Sequence, residues 1–261
     1  MTQPLSVIVI TFNEESNIRA CLESVLWARE IIVVDAESTD RTAQICRDYP
    51  VRFFSRPWPG YPQQKHFALQ QSRQEWVLSV DADERVRPEL RQSICRVLLE
   101  GTEFHGFRIG RRSHFLGKWI RHCGWYPGYQ VRLFRRSATR LSDSRVHEGF
   151  LVRGSVGTLE GDLDHFSHPT LSHSLKKLNR YSTLEALDRY GRVRVHWFDF
   201  LLHPLAVFWQ KYIRQKGILE GAHGFLLSWI SAFTKMALYM KIWRLQRLPR
   251  QELERFQREW T

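Results

Sequence analysis

Four short apolar runs, Val7 to Ile10, Ile31 to Val34, Val51 to Phe54 and Trp76 to Val80, recur along the front of the chain. Each has the length and continuous apolar character of a strand buried on both faces. The stretches between them have a different period. Ile18, Cys21, Leu22 and Val25 fall at i, i+3, i+4 and i+7, one helical stripe. Ser38, Thr39 and Asp40 offer capping side chains ahead of a helix over Thr42 to Tyr49, Gln63 to Ser72 reads as a third helix, and Pro88 opens a fourth that runs to Leu99. Strand and helix alternating at this spacing predict an α/β fold, a Rossmann-like, mostly parallel sheet with helices on both faces. Ligands of such sheets gather beyond the strand C-termini. The polar residues fall there: Thr11, Asn13 and Glu14 after the first strand, Asp35 at the end of the second, Asp81 and Asp83 after the fourth.

From Phe104 the pattern turns to shorter strands, such as Phe107 to Arg111 and Gln130 to Phe134, separated by loops carrying Gly and Trp. This middle part reads as a lid or acceptor wall. Beyond about Thr170 the chain is helical, over Leu171 to Tyr190, Phe198 to Gln215 and Ala222 to Leu248. The expected division is therefore residues 1–170 as a catalytic domain and 171–261 as a helical extension. Charge divides along the same line. The formal net charge is +12, yet residues 1–104 hold slightly more acid than base, and the excess of Lys and Arg lies behind them. An acidic front and a basic rear do not suit a protein that coats nucleic acid, and no nucleic-acid partner is expected. Cys21, Cys46, Cys95 and Cys123 form no Cys-x-x-Cys pair, so a reduced, cytoplasmic setting is expected, and the N-terminus shows no export signal.

The first strand-to-helix turn, Thr11-Phe12-Asn13-Glu14-Glu15, lacks a glycine fingerprint, and its acids would repel a pyrophosphate on that helix end. Thr11, Asn13 and Glu14 suit a base or ribose better; alternatively, Asn13 and Glu14 only cap the helix. Asp81-Ala82-Asp83-Glu84 is sharper. In an extended segment Asp81 and Asp83 would face one side, and two like charges there call for a cation such as Mg2+ or Mn2+, completed by phosphate oxygens and water. Arg132, Arg135 and Arg136, on or just after a strand, either contact phosphate or face water.

Val9-Ile10-Thr11-Phe12-Asn13-Glu14-Glu15, Ile32-Val33-Val34-Asp35-Ala36-Glu37-Ser38-Thr39-Asp40, Gln64-Lys65 and Asp81-Ala82-Asp83-Glu84, in this order and spacing, resemble family-2 glycosyltransferases with the GT-A fold. The likeness is to the lipopolysaccharide inner-core β-1,4-glucosyltransferase group. It extends through Val146-His147-Glu148-Gly149, Lys177-Leu178-Asn179-Arg180-Tyr181-Ser182 and Lys216-Gly217-Ile218-Leu219-Glu220-Gly221, with Ile218 and Glu220 standing where Phe and Asp are expected. The resemblance implies an inverting transfer from a nucleotide-diphosphate sugar, glucose from UDP-glucose, to a lipid-linked saccharide such as a core heptose. Asp35 and Thr11 would hold the uridine, Lys65 would position the nucleotide, and Asp83 with Asp81 would hold the metal. The acceptor hydroxyl needs a base. Glu148 is the nominee and Asp143 the reserve, although spacing alone equally allows Glu148 a surface pairing with Arg145 or His147. His165 or His168 either completes the metal shell or packs in the fold.

In the rear third, Trp197, Trp209, Trp229 and Trp243 lie among Lys211, Arg214, Lys235, Lys241 and Arg247. Aromatic rings interleaved with cations suit amphipathic helices at an anionic membrane surface, here the inner face of the cytoplasmic membrane. The other reading is packing against the sheet domain or a second subunit. Two rivals to the whole scheme are a transferase that loads polyprenyl phosphate and a non-enzymatic basic membrane or RNA-binding module.

Overall fold

The computed structural model describes residues 2–141, 149–249, 251–253 and 256. The chain forms two compact units. The first is Met1–Ser113 with Pro127–Phe166, and the second is His114–Tyr126 with Ser167–Thr261. Residues 114–126 group with the rear of the chain, which was not foreseen.

The first unit opens with β1 (Gln3–Thr11), α1 (Ile18–Val25), β2 (Ala28–Asp35), α2 (Thr42–Arg47), β3 (Arg52–Ser55), α3 (Tyr61–Gln71) and β4 (Trp76–Asp81). It continues through β5 (Glu84–Val86), α4 (Pro88–Glu100) and β6 (Gly106–Phe115). Strands β3, β2, β1 and β4 lie side by side and parallel. Alternation along each strand serves two cores. Leu5, Val7 and Val9 of β1, with Ile31 and Val33 of β2, face Ile18, Cys21, Leu22 and Val25 of α1 and Leu90 and Ile94 of α4. Ile8, Ile32 and Val34 face Ala68 and Leu69 of α3 on the other side. That is the doubly covered α/β sheet expected of the GT-A fold.

The middle part departs from expectation. Beyond the two-residue β7 (Lys118–Trp119), β8 (Gln130–Arg135) pairs antiparallel with β4 and with β6, so residues read as a lid or wall instead widen the sheet. After the small ribbon of β9 (Thr139–Leu141) and β10 (Phe150–Val152), β11 (Val156–His168) pairs antiparallel with β5. Short alternating segments of this kind carry the pattern of any half-covered sheet, and only their partners distinguish a core strand from an appendage.

The second unit is built on α5 (Leu171–Arg189), α6 (Asp199–Trp209) and α7 (Ala222–Leu245). The helix expected over 198–215 changes at Gln210 into a π-turn that ends at Arg214, and a 3₁₀ turn, Gly217–Glu220, follows. Gly224 of α7 packs directly on this joint: a Cβ there would lie 1.9 Å from the Gly217 carbonyl oxygen. Ala186, Val195, Leu238, Tyr239, Ile242 and Leu245 form the main core. Lys241 Nζ donates among four oxygens, the Asn179 carbonyl (2.7 Å), Asn179 Oδ1 (2.8 Å), Ser182 Oγ (2.8 Å) and Thr183 Oγ1 (2.7 Å), so the Asn179–Ser182 motif locks α5 to α7. Glu220, only 5% exposed, accepts from the Arg121 N–H (2.9 Å), the His122 N–H (3.1 Å) and Lys118 Nζ (2.8 Å), and its Oε1 lies 2.7 Å from His122 Nδ1. Among the described residues no helix is long and apolar enough to cross a membrane.

Candidate active site

The register of the parallel strands sets the floor of the site. Thr11 lies opposite Asp35, and its neighbour Ile10 lies opposite Asp81, so three polar residues end adjacent strands at one level. Above them, two loops interlock. Asn13, held at φ 53°, donates its N–H to Ser38 Oγ (2.8 Å) and accepts the Thr39 N–H on Oδ1 (2.8 Å). A non-glycine residue in this left-handed region is unusual and persists where surroundings fix it. Asn13 therefore braces the second turn and does not cap α1. The Glu14 N–H goes to Thr42 Oγ1 (2.8 Å), and its carboxylate accepts from Asn17 Nδ2 (2.8 Å).

Asp35 is 1% exposed, and its two oxygens accept the Ser38 N–H (2.8 Å) and Ser38 Oγ–H (2.5 Å). It shapes the turn at Ser38 from beneath. Buried Thr11 Oγ1 and both amide atoms of buried Gln64, at the start of α3, have no hydrogen-bond partner among the described residues. Unpaired buried polar atoms are rare and costly, and they concentrate where a ligand or water completes them. Gln64 was read only as part of a motif; its position beside Lys65 was the signal.

Asp81 and Asp83 do not stand on one extended segment. Residues 82 and 83 form the turn between β4 and β5, so the two carboxylates meet different partners. Asp81 Oδ2 accepts from Arg132 Nη2 at 2.7 Å, and Oδ1 lies 3.6 Å from Lys65 Nζ. Burial alone would raise the Asp81 pKa, but Arg132 and then Lys65 hold it well below the usual carboxylate range. In this arrangement both Asp81 oxygens face cations of the protein, Arg132 and Lys65. Glu84, fully buried, accepts from the same Arg132 nitrogen at 2.7 Å and takes the Asp81 N–H at 2.9 Å. Arg132 is thus neither solvent-facing nor available to a diphosphate, since it is 2% exposed inside the sheet. An arginine within the apolar run Val131–Phe134 was the sign of a buried acid. Arg135 and Arg136 donate to the carbonyls of Thr102 and Ser72, so they are structural as well.

Asp83 Oδ2 lies 3.5 Å from His165 Nε2. Register brings them together, because His165 of β11 pairs with Glu84 of β5 and the Phe166 N–H donates to the Asp83 carbonyl. His165 Nδ1 is 3.2 Å from Ser113 Oγ, a contact that orients the ring and leaves Nε2 toward Asp83. An oxygen and an imidazole nitrogen at this separation can both reach one divalent ion, whose bonds are each about 2.1 Å. Among the described residues no group of three or more His, Cys, Asp or Glu is placed to hold a metal; Asp83 and His165 could offer two ligands to an ion whose other positions are filled by phosphate oxygens and water. His168 belongs to the second unit, with Nδ1 2.9 Å from Ser174 Oγ and its ring against Trp125. Glu148 and Asp143 lie outside the described residues.

The polar strand ends and the carboxylate–imidazole pair beside them lie at the C-terminal edge of the parallel strands, where sheets of this kind bind their ligands. The family model for glycosyl transferase family 2 matches residues 6–153, and the chain belongs to that family. It is 34% identical over 244 residues to the lipopolysaccharide core biosynthesis glycosyltransferase LpsC of Rhizobium meliloti, covering 88% of this chain and 90% of that one. The uncharacterized glycosyltransferase RT0209 of Rickettsia typhi is 27% identical, covering 91% and 86%. Among solved structures, glucosyl-3-phosphoglycerate synthase from Mycobacterium tuberculosis, crystallised with Mn2+, UDP and glucosyl-3-phosphoglycerate, gives a TM-score of 0.49 at 18% identity over 72% of this chain and 79% of that one. S. aureus TarS gives 0.46 at 15% identity, covering 100% and 92%.

Proposed function

We propose that this glycosyltransferase moves glucose from UDP-glucose, with inversion, onto a sugar hydroxyl of a lipid-linked saccharide such as the lipopolysaccharide core heptose. The work is done as a peripheral protein on the inner face of the cytoplasmic membrane. The observation that carries the reading is the meeting of Asp83 and His165 beside the aligned strand ends of Thr11, Asp35 and Asp81. The name and full-length likeness of LpsC support the acceptor class.

In this reading the uridine lies over Thr11 and the Asn13–Ser38 turn, where Gln64 and Thr11 gain the partners they lack. Glu14 borders the ribose from the same turn. Lys65, held toward the site by Asp81, faces the diphosphate. Asp83 and His165 hold Mg2+ or Mn2+, and the imidazole ligand favours Mn2+. When bound, the ion supplies positive charge to the departing diphosphate. Glu148 accepts the proton of the attacking hydroxyl on the opposite side of the sugar.

The test is a transfer assay with a panel of nucleotide sugars, in which a core heptose saccharide and polyprenyl phosphate are offered separately as acceptors. Glucose appearing on the heptose supports the reading; transfer only to the phosphate, or none with any donor, refutes it. Glu148→Gln should keep donor affinity and lose turnover by about 100-fold or more.

A further inference from the structure

The loop between α5 and α6, residues Gly191 to His196, meets Gln246 and Arg247 beyond the end of α7 around a recess of about 420 Å³. Arg192, Arg194, Arg247 and His196 line it, and its described lining contains no carboxylate. Asp188 and Asp199 flank the loop three positions from either end; Asp188 is exposed outside the lining, and Asp199 is buried, accepting the His196 N–H at 2.7 Å and lying 3.1 Å from His203 Nε2. Gln246 Nε2 donates to the Val193 carbonyl and fixes the loop on the helix end. Arg247 is also held, with its guanidinium 4.1 Å over the Trp243 ring. Three arginines and a histidine line one small recess, and the forked donors of arginine match phosphate.

The surroundings say which phosphate. Trp197, next to His196, is 78% exposed. Leu201, Leu202, Leu205 and Trp209 follow it on the outer face of α6. Phe225, Trp229 and Phe233 are exposed on α7, and the Phe208–Trp229 and Tyr212–Phe225 ring contacts join the two helices into one surface. Trp243, beneath Arg247, touches Phe200 of α6, so the recess borders this surface. Glu220 is the only acid between residues 200 and 249, and it is buried and paired. The exposed face is therefore apolar and aromatic, with charge of one sign only. A protein partner would ordinarily be matched by mixed charge at the rim; an anionic bilayer needs none.

We propose that Arg192, Arg194 and Arg247, with His196, bind the phosphate of an anionic lipid headgroup while the outer face of α6 and α7 enters the adjoining acyl boundary. This deepens the membrane placement given above and rests on it. The recess supplies selectivity for anionic lipid, and the apolar face supplies depth.

The test is co-sedimentation of the full chain with vesicles of phosphatidylcholine alone or mixed equally with phosphatidylglycerol. Three doubly substituted proteins are compared, each checked for native thermal unfolding: Arg192→Gln/Arg194→Gln in the recess, Leu201→Gln/Leu205→Gln on the face, and Arg29→Gln/Arg96→Gln in the first unit as a control of equal charge. The expected result is that the recess variant loses about 10-fold or more of its affinity for the anionic vesicles while the control loses far less. The face variant should lose binding to both vesicle types. If the wild type prefers anionic vesicles and the recess variant does so equally, the headgroup site is wrong and the membrane placement stands. If the wild type binds neither vesicle, the placement itself fails. A thermal shift with inorganic phosphate that needs Arg192 and Arg194, without any vesicle preference, would give the recess to a soluble phosphate. Self-association abolished by Leu201→Gln/Leu205→Gln would give the face to a second copy, and either result overturns the proposal.

Discussion

Arg132 Nη2 stands 2.7 Å from Asp81 Oδ2 and 2.7 Å from Glu84 Oε1, so one buried nitrogen joins the aspartate at the end of β4 to an acid that solvent does not reach. Removing the guanidinium leaves the two carboxylates only longer contacts with cations, Asp81 with Lys65 at 3.6 Å and Glu84 with Arg111 at 3.8 Å. Arg132→Met should destabilise the protein by about 3–5 kcal/mol, read from urea unfolding. A loss below about 1 kcal/mol would show that the network relaxes without it.

The Ser113–His165 contact should be visible in metal affinity rather than in stability. Ser113→Ala frees the imidazole to rotate, and Mn2+ binding in the presence of UDP should weaken by about 10-fold, followed by the loss of the free-ion resonance signal. His165→Ala should weaken it further. Unchanged affinity in His165→Ala would remove the imidazole from the site.

Glu220 makes an acid-dependent contribution in the second unit. Burial opposes its charge, yet Lys118, His122 and the backbone N–H groups of Arg121 and His122 lower its pKa from 4.5 to about 2. A depressed carboxylate stabilises fully above its ordinary pKa, and the contribution disappears as pH falls through the folded value. Glu220→Gln should therefore cost about 2 kcal/mol at neutral pH. Paired unfolding curves should converge as pH falls from about 4 toward about 2. Parallel curves across that range would contradict the assignment.

The parallel half of the sheet was legible because Val7–Ile10 and Ile31–Val34 are continuous apolar runs, each ending in the polar residue that the structure places at the strand terminus. Asp83 and His165 were both legible as residue types. Their meeting was expected only as one of several alternatives, His165 or His168 or neither, since it depends on β11 pairing with β5 across a long connection that no local pattern encodes. The Asp81–Asp83 segment misled because spacing of two means one shared face only if the backbone stays extended, and here it turns. Arg132 was misplaced for a similar reason: a charged residue in a strand reads as exposed until a buried acid is known to face it. Lys177–Ser182 and Lys216–Gly221 entered only through the family resemblance, and Asn179, Ser182 and Glu220 of these segments spend their polar atoms on Lys241 and on residues 118–122.

The segment 114–126 has a bearing on how such enzymes diversify. Because Lys118, Arg121 and His122 surround a carboxylate roughly a hundred positions downstream, the rear module is not inherited as one uninterrupted stretch. A recombination event that exchanged only the C-terminal segment between relatives would bring in a buried acid and leave its cationic cradle behind. Viable chimeras need two crossover points more, so that both pieces travel together.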